Sequence, residues 1–376
     1  MNRRINPFII SGYEGAEYFC DRVKETKQLC SEIANGNNVA LIATRRMGKS
    51  GLIRHCFSQA EWRNDYYTFF IDIYDTKNLD DFTVKLSKEI VDRLRPYGIK
   101  ALKGFLNYAH SLQAGISFTP SGDASFNVQV GDLHEGRNTL DEIFRYLEDA
   151  EKPCIIAIDE FQQIANYPET NIEATLRTYI QNCHNAQFIF AGSQRHVMSQ
   201  MFTSASRPFF QSVSIMHLVA IDELEYDKFA RRHFEKANMK LAEGVTQKVY
   251  ELSKGVTWYT QKLFNTLFAY SVTGEECTKE SVPQALEYIL TTQEYTFKET
   301  LFRLPEKQKL VLTALAREGN AKGITSSAFL KKYHLPSAST VQSAVKGLLE
   351  KDFITYEQGT YSVYDLFLAN WIKYKM

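Results

Sequence analysis

The sequence predicts an α/β protein: a parallel sheet with helices on both faces, then an all-helical segment, then three helices and a hairpin at the end. Three observations carry that prediction. Apolar runs bounded by turn signals recur at residues 39–43, 67–73, 154–158 and 188–191, and such runs suit strands buried on both faces. Helix-period segments separate them, and strands alternating with helices imply parallel pairing under two helical layers. From about residue 222 to 295 the strand signals disappear and helices follow one another.

Taken in order, residues 16–35 read as one amphipathic helix, stopped by Asn35-Gly36-Asn37-Asn38. After the first apolar run, a second helix is expected to begin within Gly48-Lys49-Ser50, with Leu52, Ile53, Cys56 and Phe57 on one face. Residues 67–73 are rich in β-formers, and residues 79–94 return to helical period. Ile116 and Phe118, then Phe126, Val128 and Val130, alternate around Pro120-Ser121-Gly122-Asp123, the pattern of a β-hairpin with a loop of four or more residues. Helices are expected at about 136–150 and 171–183, each leading into a strand. From Pro305, three short helical patterns precede 353–356 and 360–364, which Glu357-Gln358-Gly359 separates. That is the order of a winged helix-turn-helix.

At 376 residues the chain fits two or three domains: a core at 1–220 with a hairpin insertion at about 115–131, a helical lid at 221–300 and a winged helix at 301–376. The 44 basic and 44 acidic residues cancel, so the whole chain lacks the field of a nucleic-acid or anionic-membrane binder, and any such surface is local. Six cysteines, at 20, 30, 56, 154, 183 and 277, show no CxxC or Cys/His spacing for zinc and read as reduced thiols. The hydrophobic stretch after Arg3 and Arg4 is broken by Asn6 and Pro7, which argues against a signal peptide. No apolar run approaches the roughly 18 residues that span a bilayer, so a cytoplasmic, non-membrane protein is expected.

Ala43-Thr44-Arg45-Arg46-Met47-Gly48-Lys49-Ser50 matches the phosphate-loop pattern G-x-x-x-x-G-K-[ST] except at its first position. The chemistry asks for backbone N–H groups curled around an anionic phosphate and a helix starting there, its positive end toward the charge. Gly48 permits close approach, Lys49 reaches the β- and γ-phosphates, and the Ser50 hydroxyl coordinates Mg²⁺. Arg46, Met47 and Gly51 complete the loop's candidate contacts. Arg45 and Arg46 read either as a solvated pair or as contacts to a phosphate or partner. The cofactors expected are therefore ATP and Mg²⁺.

The strand at 154–158 ends in Asp159-Glu160. Strand ends of parallel sheets open onto the ligand crevice, so Asp159 is the candidate for the Mg²⁺ water shell and Glu160 for the residue that orients or deprotonates the attacking water. Two acids at this point are otherwise a helix N-cap. The next strand ends in Gly192-Ser193-Gln194-Arg195, where Ser193 or Gln194 is placed to sense the γ-phosphate, or else forms a polar turn. Arg207 reads as a surface-loop arginine, with a trans-acting role as the alternative.

With these elements in order, the chain resembles the archaeal-type ATPases, a P-loop group close to the STAND and AAA+ ATPases and more distantly related to origin-recognition initiators. The marks are Asn6-Pro7-Phe8, the run from Tyr18 to Glu25, Arg45 to Ser50, Ile158-Asp159-Glu160-Phe161, Ala191-Gly192-Ser193 with Met198, and Gly255-Val256-Thr257-Trp258-Tyr259. The resemblance implies that the segment holding Phe19 and Arg22 lies beside the adenine and that the segment 255–259 approaches the nucleotide from the other side. The chain departs from it at Ala43, at Thr257 in place of proline, and at Gln211-Ser212 in place of Gly-Arg. It implies an ATPase acting as a nucleotide-driven switch, slow or partner-stimulated, with ATP or ADP, a protein partner and nucleotide-linked oligomers. The alternative is a DNA-associated ATPase using residues 305–376. That segment has ten Lys or Arg against six Asp or Glu, a modest excess, and its expected recognition helix places Gln342, Ser343 and Lys346 opposite Val341, Val345 and Leu348.

Overall fold

The computed structural model describes residues 6–110, 116–118, 124–126 and 136–376. It packs as two compact units. One comprises Ser11–Tyr226 with Val256–Trp258; the other comprises Asp227–Gly255, Tyr259–Met376 and the described residues before Ser11.

The first unit runs through α1 (Val23–Ala34), β1 (Val39–Ile42), α2 (Lys49–Ser58), α3 (Ala60–Asp65), β2 (Tyr67–Asp72), α4 (Leu79–Leu94) and α5 (Ile99–Leu106). It continues through the hairpin β3 (Ile116–Phe118) and β4 (Ala124–Phe126), then α6 (Gly136–Asp149), β5 (Cys154–Asp159), α7 (Ile172–Gln181), β6 (Ala186–Gly192), α8 (Arg195–Thr203) and β7 (Ser214–His217). Five strands form one sheet in the order β2-β5-β6-β1-β7, and all of its pairings are parallel. The continuous apolar runs are explained by the two cores. Ala40, Ile42, Ile156, Ile158, Phe188 and Phe190 belong to one buried cluster, while Val39, Leu41, Ile155, Ala157, Ile189 and Ala191 belong to the other. Successive residues of a strand point to opposite faces, so both must be apolar, each fully buried large side chain contributing ~1.5–3 kcal/mol.

The structure differs from the sequence reading in several elements. The helix expected over 16–35 starts only at Val23, after a 3-10 turn at Ala16–Tyr18, because Asp21 (φ 50) and Arg22 (φ 61) take left-handed backbone. Strand β7 lies at the sheet edge with only Met216 buried among its four residues, so it lacks the two-sided apolar run that marks the others. Three short helices, α3, α5 and α8, were not expected. Hairpin β3–β4 pairs Ile116 with Phe126 and Phe118 with Ala124, antiparallel; the expected tip from Pro120 to Asp123, and Val128 and Val130, lie outside the described residues.

The second unit is built on α9 (Glu223–Lys236), β8 (Lys240–Leu241), α10 (Val245–Ser253), α11 (Thr257–Tyr270), β9 (Glu276–Cys277) and α12 (Ser281–Phe302). There follow α13 (Glu306–Glu318), α14 (Ser327–Lys332), α15 (Ala338–Glu350), β10 (Ile354–Glu357), β11 (Thr360–Val363) and α16 (Leu366–Lys375). The region expected to be wholly helical contains one minimal parallel ladder, β8 with β9. Side chains cap the later helices: Ser326 accepts from the Phe329 N–H and Ser337 from the Thr340 N–H. Hairpin β10–β11 turns through Gln358 (φ 48) and Gly359 (φ 80), two left-handed residues of the kind that match strand twist. Helix α16, which closes the unit, was not expected.

The described residues before Ser11 are tied into this unit. Phe8 is fully buried. Its ring stacks on Phe264 at 5.1 Å and meets the edges of Phe229 and Phe268. The Asn6 side-chain amide donates to the Asn265 carbonyl at 2.7 Å, and that of Asn265 donates back to the Phe8 carbonyl at 2.9 Å.

Candidate functional site

The β1–α2 loop leaves the sheet from the strand between β6 and the edge strand β7. Ile42 pairs with Gly192 of β6, and the Ala43 N–H donates to the Gly192 carbonyl at 3.3 Å. The loop therefore starts beside the C-terminal end of β6, whose other neighbour, β5, ends at Asp159. Ala43, where the motif calls for glycine, is fully buried within the core under the loop, so its methyl group packs there. Arg46 (φ 67) and Gly48 (φ 91) take left-handed backbone. Glycine suits the second position because a side chain there would be strained.

Lys49, the first residue of α2, is 6% exposed, and its Nζ donates to the Ala43 carbonyl at 3.3 Å. Burial holds its ammonium below the ordinary lysine range, Glu160 and Asp159 pull it back up, and Arg45 and Arg195 depress it further. The Ser50 hydroxyl donates to Asp159 Oδ2, while Asp159 Oδ1 accepts the Glu160 N–H at 3.0 Å. Burial pushes the Asp159 carboxyl up, against the opposing effects of Ser50 and Lys49. The Glu160 backbone is left-handed at φ 56 and ψ 39. Its carboxylate accepts from the Ser193 hydroxyl at 2.6 Å and from the Gln162 carboxamide. Lys49, Ser50, Asp159, Glu160 and Ser193 thus come together, as the sequence reading requires.

A second group braces the loop from its flank. Arg22 is 2% exposed; it donates to the Met47 carbonyl at 3.2 Å and to Glu25 at 2.7 Å, which accounts for the helix break beside it. The Thr257 hydroxyl donates to the same Met47 carbonyl at 3.1 Å, and the Trp258 N–H donates to the Arg46 carbonyl at 3.0 Å. Phe19 stacks on His55 with ring centroids 4.3 Å apart, and its ring edge lies 3.6 Å from where a Cβ on Gly51 would sit. Arg46 lies 4.5 Å over the Trp258 ring and Arg45 5.4 Å over that of Tyr74.

Two residues near the loop escaped the sequence reading. Gln162 has no motif to mark it; it is buried and bonded to both Glu160 and Ser193. Arg195 was visible only as a cation two residues after Ser193. Arg207 is not a free surface arginine, since its guanidinium pairs with the buried Glu173 of α7. Gln194 is exposed.

A parallel sheet with helices on both faces, a loop carrying Lys49 and Ser50 at the start of α2, and an acidic pair at the end of the strand one place beyond β6 define the P-loop ATPase fold. A family model described as a probable winged helix domain matches residues 295–374. Among solved structures, the Walker-type ATPase PABY2304 of Pyrococcus abyssi is similar over 98% of this chain and 99% of its own, with a TM-score of 0.65 and 18% identity. The Aeropyrum pernix ORC2 protein, solved as ADPNP-ADP complexes, is similar over 100% of this chain and 99% of its own, with a TM-score of 0.55 and 12% identity. The Aeropyrum pernix ORC1 protein, solved in complex with DNA, is similar over 94% and 92%, with a TM-score of 0.50 and 12% identity. No curated protein matches the sequence. The chain shares the fold of these Walker-type ATPase and ORC structures, and it ends in a winged helix domain.

Proposed function

We propose that the chain binds ATP with Mg²⁺ and hydrolyses it slowly, as a nucleotide-driven conformational switch working in the cytoplasm. The observation that carries this reading is the direct bond between Ser50 and Asp159, with the Lys49 ammonium beside them at the start of a helix. A hydroxyl and a carboxylate are hard oxygen donors of the kind Mg²⁺ takes alongside substrate phosphates and water, so the residues fit the ion. When bound, Mg²⁺ supplies charge neutralisation across the β- and γ-phosphates.

Ser50 and Asp159 hold the metal in this reading, Asp159 through water. Lys49 and the first N–H groups of α2 bind the phosphates, helped by the loop residues Arg46, Met47 and Gly48. Phe19, Arg22 and Gly51 border the base and sugar. Ser193 faces the terminal phosphate, and Glu160 orients the attacking water and takes its proton. We place the working parts at 1–220 for the ATPase core, 221–300 for the lid and 301–376 for the winged helix, the last engaging a protein partner. Nucleotide binding also favours oligomers.

Turnover by the full chain tests the reading. Glu160→Gln keeps ATP bound and lowers the rate ~10²-fold or more, because the amide cannot take a proton. Asp159→Asn instead weakens the metal complex. Wild-type turnover in Glu160→Gln would place the base elsewhere.

A second reading, DNA binding by residues 305–376, is favoured by one observation. Gln342, Ser343 and Lys346 are exposed on α15 opposite the buried Val341, Val345 and Leu348.

A further inference from the structure

Helices α1 and α2 pack against each other, and each brings one cysteine to the contact. Leu29 and Ile33 of α1 share a buried cluster with Leu52, Ile53 and Phe57 of α2. Cys56 lies inside that cluster and is fully buried, while Cys30 packs against it from the rim and is half-buried. The two thiols meet, the Cys56 S–H donating to the Cys30 sulfur. That bond holds the Cys30 thiol below the ordinary cysteine value, against burial and the Glu61 carboxylate. The same contact pushes the Cys56 thiol up, and burial adds to it. Thr26 stands one turn before Cys30 on α1; its hydroxyl oxygen is buried with no partner at ordinary hydrogen-bond distance among the described residues, and the Cys56 sulfur is the polar atom it faces. The other four cysteines, at 20, 154, 183 and 277, are all buried, and burial pushes the last three up.

Peroxides react with an accessible thiol of thiolate character, and a second thiol beside it turns the product into a disulfide. We infer that Cys30 and Cys56 form a peroxide-reactive pair, in which Cys30 attacks a hydroperoxide and Cys56 resolves the product into a disulfide that staples α1 to α2. With hydrogen peroxide, the Cys30 sulfur first takes one oxygen: an S–O bond forms, the O–O bond breaks, and the other oxygen leaves as water with the thiol's proton. The Cys56 sulfur then attacks that of Cys30: an S–S bond forms, the S–O bond breaks, and a second water carries off the proton of Cys56. Two thiols are oxidised and one peroxide is reduced to two waters. The disulfide closes residues 30–56 into a ring that contains β1 and the whole phosphate loop. Arg22, which braces the Met47 carbonyl, sits at the start of one stapled helix, and Lys49 at the start of the other. The chemistry requires no bound nucleotide.

The test treats the full reduced chain with hydrogen peroxide, then alkylates it in denaturant for mass spectrometry. The expected result is that six alkylatable thiols fall to four and that the chain loses the mass of two hydrogens. Digestion should find the Cys30 and Cys56 peptides joined, and dithiothreitol should restore all six thiols. Cys56→Ser should leave Cys30 as a sulfenic acid that dimedone traps, whereas Cys30→Ser should leave Cys56 unmodified. A cross-link that keeps native geometry removes freedom from the unfolded chain, so the oxidised wild type should melt above the reduced one by up to ~7–14 °C. Peroxide that leaves all six thiols of the wild type free, or that joins another pair or two separate chains, would overturn the inference. An oxidised wild type that melts below the reduced one would show that the bond forms only by pulling α1 and α2 from their native places, and would overturn the staple.

Discussion

Replacing Lys49 by methionine separates the residue's effect on the empty protein from its effect on the bound one. Lys49 is 6% exposed, its bond to the Ala43 carbonyl is at the long end of the range at 3.3 Å, and burial depresses its ionisation. An ammonium so placed is incompletely compensated for lost water, and methionine fills much the same space without charge. Lys49→Met should therefore melt, without nucleotide, at or above the wild-type temperature. With Mg²⁺ and ATP the order reverses. A charge-assisted bond of ~1.5–3 kcal/mol to phosphate corresponds to roughly 10- to 150-fold in affinity. At ATP about 100-fold above the wild-type Kd, binding stabilises the wild type by ~2.7 kcal/mol and the variant by only ~0.3–1.4 kcal/mol. At ~2–4 °C per kcal/mol for a unit of this size, the wild-type shift is ~5–11 °C and the variant's about half of that or less.

The pH dependence has a sign as well. Between the lowered folded pKa of Lys49 and the ordinary lysine value of 10.5, the unfolded chain holds a proton that the folded chain has released, so stability rises with pH across that window. Lys49→Met should lose this rise. Differential scanning calorimetry with and without Mg²⁺ and ATP, repeated from neutral to alkaline pH, reads all three outcomes. A variant that melts several degrees lower when empty and keeps the full ATP shift would refute both the burial argument and the phosphate assignment.

Three further outcomes are expected. Gly192→Ala places a Cβ against Gln162 and Met198; it should destabilise the fold by ~1–3 kcal/mol and lower turnover, and a variant equal to the wild type in both urea unfolding and rate would show that the packing gives way freely. Phe8→Ala empties a fully buried ring site and should cost ~3–5 kcal/mol in denaturant unfolding; a loss below 1 kcal/mol would mean that the first residues are not held there in solution. If α15 contacts DNA, Lys346→Ala should weaken duplex binding by the full chain and reduce the salt slope by about one phosphate contact, and an unchanged slope would remove Lys346 from the interface.

Strands β1, β5 and β6 were legible because burial on both faces forces nearly every residue to be apolar, as at Val39 to Ile42, and β2, at an edge, was legible because all but two of its residues are apolar or aromatic. The edge strand at Ser214–His217 was not, because it buries one residue of four. Lys49, Ser50, Asp159 and Glu160 were readable as a site because their spacing reflects a loop and a strand end that the fold brings together. Gln162 was not, since its importance lies in a buried carboxamide between Glu160, two residues before it, and Ser193, 31 residues after it, and no local pattern encodes that. The break before α1 was hidden for a similar reason: Arg22 leaves helical geometry to reach Met47, 25 residues on.

The clasp around Phe8 has a consequence for the order in which the molecule is made. Asn6 and the Asn265 carbonyl it bonds are 259 residues apart in the chain, and Phe264 and Phe268 lie beside them. At ~5–20 residues per second of synthesis, roughly 10 to 50 s pass between the two. During that interval Ser11–Tyr226 is synthesised and can begin to fold, while Phe8 waits with its ring uncovered. Closure of the second unit is thus a late event that joins the earliest residues to some of the later ones. A chain stalled before residue 264 would carry an aromatic hook still open to whatever hydrophobic surface, or chaperone, meets it first.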